Sequence, residues 1–329
     1  MANRVIDGPL FDLGSYARRG PGRRDHLTHA QTQQIARTVG RTPEVMVKVL
    51  PRPANTLSAA RRHLNYIGRQ GEVDLETDDG DTVRGTHVGK DLVEDWDLEL
   101  DAQRTRTDLV SRPGRQAPRL VHKLMFSMPA GTPSDKVLKA VQNFFREEFA
   151  LEHRYAMALH TDTDHPHVHV VMKAVSEQGE RLHIRKATLR YWREEFARHL
   201  RALGVPANAT QRYVRGETSP RKPDSVHRAG MRGDSTHMRE RTEAVMRDLS
   251  QGRQQVELGK ARLIETRDNI RRAWWNVSEI LVQDKQPDLA EQVRRFAEQM
   301  PPPMTEREWL AGMLVERIRP PRAREGPTH

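Results

Sequence analysis

Cysteine is absent from this 329-residue chain, which excludes disulfides, thiolate zinc sites and cysteine nucleophiles. Aromatic residues are scarce at 5%, and apolar residues make up only 36%. A core can form from that stock, but part of the chain reads as surface-rich helix or tail. No apolar run approaches the roughly 20 residues of a membrane span, and the opening MANRVIDGPLFDLG lacks the apolar centre of a signal peptide. The expectation is a cytoplasmic protein with no membrane insertion. Acidic charge is also in deficit, 45 Asp+Glu against 55 Lys+Arg, for a formal charge of +10. A phosphate-backbone binder needs such a balance, although charge alone leaves a basic, non-binding protein equally open.

The organisation follows from composition and periodicity. Residues 1–42, with RRGPGRRDHLTHAQTQQ, read as a basic flexible leader. VMVKVL is β-branched and reads as a strand. NTLSAARRHLNYIGRQG then reads as a helix with Asn55 at its N-cap and Gly71 as its stop. Leu57, Ala60, Leu64 and Ile67 recur at helical spacing and predict its buried face. A polar hairpin turns at Asp79-Gly80, and DLVEDWDLEL carries a further helical signal. RLVHKLMFSM predicts a strand, and Thr132-Pro133-Ser134-Asp135 opens a helix with proline at N1 and an acidic residue in the first turn. YAMALH and HVHVVMKA predict two more strands, followed by a helix through LRYWREEFARHLRALG. Residues 206–235 are rich in Pro, Gly and Arg and read as a linker; residues 236–329 read as a helical C-terminal region with a basic tail. The core domain is therefore expected over 43–205. Its irregular alternation of strands and helices predicts an α+β fold, a central antiparallel sheet flanked by helices.

The densest chemistry lies in HTDTDHPHVHVVMKA, residues 160–174. Residues two apart on a strand share a face. His167 and His169 therefore project together with Lys173, while Val168, Val170, Met172 and Ala174 project into a core. An antiparallel hairpin would bring His160 beside that histidine pair. Three neutral imidazoles converging on one point suit a metal of borderline softness, and Asp162 or Asp164 could fix a histidine tautomer. The alternative is a polar hairpin with surface histidines.

Two families match this segment. HPHVHVV fits the signature of the histidine-triad nucleotide hydrolases. The longer pattern of His160, Asp162, His167 and His169 resembles the metal motif of conjugative relaxases, the HUH-type nicking enzymes of plasmid mobilisation. Two more blocks agree with the relaxases: the upstream helix bearing Tyr66 and the strand-turn HKLMFSMPAGT. In this order the three blocks resemble the T-DNA border endonuclease branch, over roughly residues 44–205.

That resemblance implies an HUH-like palm that nicks one DNA strand at an origin of transfer, with Tyr66 as nucleophile and a covalent 5′-phosphotyrosine intermediate. It implies His160, His167 and His169 as ligands of a divalent metal, Mg²⁺ or Mn²⁺ with Zn²⁺ as a further candidate, and Asp162 as a catalytic helper. Arg62 and Arg69, four before and three after Tyr66, would grip DNA; Ser127 would touch phosphate. Lys173 stands where relaxases often have asparagine and would itself contact phosphate. The implied partners are single-stranded DNA at the origin, a relaxosome accessory protein and a type IV secretion coupling protein, with export to a recipient cell on the DNA. Arg317, Arg319, Arg322 and Arg324 resemble a basic export signal. Tyr16 and Tyr213 are candidate secondary nucleophiles; Tyr155, Tyr191 and the Trp274-Trp275 pair read as packing residues. A histidine-triad nucleotidyl hydrolase or transferase and a non-catalytic plasmid DNA-binding protein are the other readings.

Overall fold

Alternation in HVHVVMK and in VHKLMFS builds two adjacent interior strands of one sheet. The computed structural model describes Leu13 and residues 26–110, 117–217, 236–251 and 259–318. Helix α1 (His29–Val39) precedes strand β1 (Met46–Val49), helix α2 (Leu57–Ile67) and the hairpin of β2 (Leu75–Thr77) and β3 (Thr82–Val83). Helices α3 (Val88–Asp95) and α4 (Leu98–Val110) lead to β4 (Val121–Ser127), α5 (Ser134–Phe149), β5 (Tyr155–His160), β6 (His167–Lys173) and α6 (Lys186–Ala202). The C-terminal helices are α7 (Thr236–Ser250), α8 (Lys260–Gln283), α9 (Pro287–Glu298) and α10 (Glu306–Ile318). The fold is α+β, an antiparallel sheet with flanking helices and a helical C-terminal region.

The chain divides into two compact units, Arg41–Ala209 and the combination of Met1–Gly40 with Thr210–His329. In the first, the strand order is β1-β4-β6-β5-β2-β3, every neighbour antiparallel. One sheet face presents Val47, Leu124, Phe126, Met157, Val168, Val170 and Met172 to α5 and α6. Phe126 sits at the centre, its ring 5.3–5.6 Å from those of Phe144, Phe145 and Phe196. Full burial of each such side chain is worth roughly 1.5–3 kcal/mol. The opposite face packs Ala156, Ala158 and Val171 under Ala60, Leu64 and Ile67 of α2 and Val88 and Leu92 of α3.

Local chemistry sets the ends of the site-bearing elements. Thr56, rather than Asn55, caps α2: its side chain accepts from the Ala59 amide at 3.2 Å. The helix stops at Gly68, short of Gly71, because Arg69 and Gln70 both adopt left-handed backbone at φ 49° and 55°. Asp79-Gly80 turns the β2–β3 hairpin with Gly80 at φ +90°, as its sequence predicts. Pro133 stands at the N-cap of α5, one position before its first helical residue.

In the second unit Trp274 is fully buried among α1, α8 and α9, its ring 5.3 Å from that of Phe296. Trp275 is exposed, with the Arg294 guanidinium 5.9 Å from its ring. Part of the leader is ordered here, since α1 starts in a capping box between Thr28 and Gln31 and buries Ile35. Among the described residues no helix is long and apolar enough to cross a membrane.

Candidate active site

Strand register assembles the histidines. His160 of β5 lies directly opposite His167 of β6, and His169 pairs with Ala158, so all three imidazoles leave the same sheet face. Their ring centroids are 4.7–5.4 Å apart, and one nitrogen from each lies within 4.8 Å of the others. His160 and His169 are buried and His167 is half-buried.

Two backbone carbonyls orient the rings. His160 Nε2 donates to the Ile67 carbonyl at 2.7 Å, and His167 Nδ1 to the His165 carbonyl at 3.0 Å. Each bond fixes a tautomer and leaves the other nitrogen as a lone pair, the usual outer-shell arrangement for imidazole ligands. His169 Nδ1 is buried with no partner among the described residues. Burial holds the His160 pKa below its ordinary value and pushes that of His169 down to about 3, with the neighbouring imidazoles adding to the shift. Both shifts favour the neutral imidazole that metal ligation requires. Three converging imidazoles, two of them with tautomers fixed by backbone carbonyls and the third with a buried, unpartnered nitrogen, fit a divalent metal.

Helix α2 sets Tyr66 over this cluster. Its ring stands edge-on to His169 at a centroid distance of 6.1 Å and lies 52% exposed. One helical turn earlier, His63 stacks on Tyr66 at 5.7 Å with 14° between the planes and meets His169 edge-on at 6.5 Å. Burial, and then Lys123, lowers the His63 pKa to about 4. Sequence reading missed His63, although its i−3 spacing to Tyr66 puts both on one helix face.

Arg69 leaves the left-handed turn after α2 and pairs with Asp162 at 2.6 Å; its other contact is His160 Nδ1 at 3.4 Å. The guanidinium holds the Asp162 carboxyl below the usual range. Arg62 is exposed on α2. Ser127 is paired with His167 across β4–β6, and its hydroxyl donates to the Met128 carbonyl at 3.4 Å. Beside them an open cleft of about 350 Å³ is lined by Met46, Lys48, Met125, Ser127, His165 and His167.

Lys173 is not part of this group. It sits buried at the far end of β6, its ammonium 3.0 Å from Glu177 and 3.9 Å from Asp101. A charge so enclosed needs those partners, and it is not available to phosphate. His165 is exposed and lies outside the imidazole cluster, as does Asp164. Tyr155 is buried in the core and Tyr191 donates to Glu148. Tyr213 belongs to the other unit. Tyr16, Arg319, Arg322 and Arg324 lie outside the described residues, and of Arg317 only the helical backbone is described. A second acidic group, Glu147, Glu148 and Glu195, is engaged by Arg198 and Tyr191.

Comparison with known proteins bears on the same region. Residues 66–204 match the family model for the relaxase, MobA/VirD2-like, nuclease domain. The chain is similar to the T-DNA border endonuclease VirD2 of Rhizobium radiobacter, 26% identical over 190 residues covering 53% of this chain and 43% of that protein. It is 28% identical to VirD2 of Rhizobium rhizogenes over 139 residues, 39% of this chain and 30% of the relative. For VirD2 of Agrobacterium fabrum strain C58 the identity is 27% over 190 residues, 53% and 41% of the two chains. The chain thus spans less than half the length of these relatives. No solved structure matches it. The likeness to the VirD2 branch of relaxases, read from three sequence motifs, stands.

Proposed function

We propose, from the relaxase nuclease domain that residues 66–204 match, that this chain nicks one strand of DNA at an origin of transfer by transesterification. The observation that carries the reading is the Tyr66 ring, exposed and edge-on at 6.1 Å to His169 in a cluster of three imidazoles. In the reaction Tyr66 Oη bonds to the scissile phosphorus and the bond from phosphorus to the 3′ oxygen breaks. The phenol gives up its proton and the departing oxygen takes one up. The products are a free 3′ hydroxyl and the protein on the 5′ phosphate, a covalent link that conserves the energy needed for resealing.

A divalent metal held by His160, His167 and His169 would polarise the phosphate and stabilise the charge that develops on it. Three nitrogen donors rank Mn²⁺ and Zn²⁺ above Mg²⁺, which prefers oxygen. His63 acts as a positioning residue: its stacked ring and the helix hold the Tyr66 phenol over the histidines. Asp162 holds the Arg69 guanidinium at the edge of the site, where it can meet phosphate. Arg62, exposed on the same helix, and Ser127, in the adjoining cleft, are the further DNA contacts; Lys173 is withdrawn from that set.

At the scale of the chain, we assign the nicking chemistry to residues 43–205 and the binding of accessory and coupling proteins to 236–329, with 206–235 between them. The partner is single-stranded origin DNA, in the cytoplasm of the donor, and the covalent complex is the species delivered to a recipient through a type IV secretion channel.

The test is incubation with single-stranded DNA of the replicon that encodes the chain, with Mn²⁺ or with EDTA, followed by a denaturing gel. Wild type gives a protein–DNA adduct, and both Tyr66→Phe and EDTA remove it. An adduct that persists in EDTA and is lost in His167→Ala would instead favour a histidine-triad enzyme. Salt-sensitive binding without an adduct under any metal would favour a non-catalytic DNA-binding protein.

A further inference from the structure

On the sheet face opposite the three histidines lies a second cleft, about 490 Å³ in volume, bordered by β4 and the start of α6. Its charged lining is cationic throughout: Arg119, Arg181, Arg185 and Lys186, with no carboxylate among the lining residues. None of the four makes an ion pair among the described residues. Arg181 donates from Nη1 to the Arg119 carbonyl at 2.8 Å, which clamps the two segments together. Asp101, which feels Arg181 at longer range, is occupied by Lys173 and Arg104.

Two independent features make this more than a basic patch. The first is the end of α6. Arg185 is its N-cap and Lys186 its first residue. Arginine can donate but not accept, so the first-turn amides of α6 have no capping acceptor from that residue. The helix dipole makes this end positive, and cations there are electrostatically misplaced unless an anion joins them. The second is His122, which lines the cleft and is 6% exposed. Its Nε2 donates to the Leu182 carbonyl at 3.1 Å, so its Nδ1 is a lone pair, and that buried atom has no partner among the described residues. A buried acceptor left open costs free energy unless a ligand donates to it.

An anion for the cations and helix end, and a donor for His122, are the two halves of a nucleotide unit. We propose that this cleft is a second nucleotide-binding site, holding a phosphate between Arg119, Arg181, Arg185, Lys186 and the α6 amides. His122 Nδ1 accepts from a hydroxyl or a base N–H of the same unit. The cleft volume is within the range of sites that enclose one small ligand. The nicking reading makes a DNA strand the expected source of the nucleotide. Bound on the face away from Tyr66, that strand would be gripped without taking part in the chemistry, so the site sets affinity and hold rather than rate.

The experiment reads binding alone, with the full-length chain carrying Tyr66→Phe and in EDTA, so failure of the nicking reading leaves it intact. Fluorescence anisotropy follows a labelled single-stranded oligothymidylate across a salt series, and calorimetry follows thymidine 5′-monophosphate. Adding Arg185→Glu with Lys186→Glu is expected to weaken oligonucleotide binding by about tenfold or more. The slope of log K against log salt should become shallower by about 0.7 for each phosphate that the variant no longer neutralises. The same charge change on α5, Lys136→Glu with Lys139→Glu, should have a much smaller effect, and thermal melts establish that each variant folds. His122→Phe, which keeps every cation, should also weaken binding. Loss confined to the oligonucleotide identifies a strand as the ligand; monophosphate binding lost in the same variants identifies a free nucleotide. Equal effects of the α5 and α6 reversals, or binding unchanged in both α6 and His122 variants, would overturn the site.

Discussion

Arg69 stands between two claims, the Asp162 carboxylate at 2.6 Å and His160 Nδ1 at 3.4 Å. Both partners are reached because Arg69 and Gln70 take left-handed backbone, a conformation that costs a residue with a side chain on the order of 1 kcal/mol. Asp162→Asn removes the stronger claim and leaves the guanidinium closer to the His160 lone pair that the proposed metal would use. The expected outcome is metal affinity lower by about 10-fold, read by metal titration followed by calorimetry, with little change in thermal stability. Gln70→Gly, which relieves the backbone, should raise stability by about 1 kcal/mol. At this scale the sequence was legible where strand parity governs. His160, His167 and His169 follow from alternation and one hairpin. Lys173 shares their parity yet is unavailable, because Asp101 of α4 closes over it, and no local pattern announces a contact from so far along the chain. His63 was legible in principle, from its spacing to Tyr66, and was missed because no motif includes it.

Among the elements, the placement of α2 decides whether Tyr66 reaches the histidines. The α2–α3 contact is close at Gly89, whose amide donates to Asn65 Oδ1 at 2.8 Å. A Cβ at Gly89 would fall 2.3 Å from Asn65 Oδ1 and 2.5 Å from the Arg61 carbonyl oxygen. Gly89→Ala must therefore push α3 from α2, at a cost of about 1–3 kcal/mol. Urea unfolding should report that loss, and DNA nicking should fall with it although no reacting group has changed. Element type was readable almost throughout, from apolar period and turn residues. Element ends were less so: Thr56 took the cap from its neighbour Asn55, a choice between two equally suitable side chains. Helix α1 was hidden in an Arg- and Gln-rich leader because its order depends on packing Ile35 into the core shared with α8 and α9, a tertiary effect.

For the molecule as a whole, buried neutral histidines couple stability to pH. His122, on β4 and on the sheet face away from the three clustered histidines, has its pKa lowered by burial from 6.5 to about 4. Above 6.5 both folded and unfolded chains leave it neutral, and its contribution to stability is complete. As the pH falls from 6.5 to about 4 the unfolded chain binds a proton that the folded chain refuses, so stability drops. The total is on the order of 3 kcal/mol, and below about 4 this group adds no further loss. Urea denaturation at about pH 7 and about pH 5 should show the decline, and His122→Gln, a neutral donor to the Leu182 carbonyl, should make it smaller, leaving the part due to His63 and the other buried histidines.

The central claim is that one phenol, Tyr66, is the atom that joins DNA. It is tested most directly by digesting the adduct with trypsin and nuclease and finding by mass spectrometry which peptide carries the nucleotide. Cleavage after Arg62 and Arg69 isolates HLNYIGR, whose sole tyrosine is Tyr66. A nucleotide on the phenol of that peptide is the predicted result. A nucleotide on Tyr16, on Tyr213 or on any histidine would contradict it.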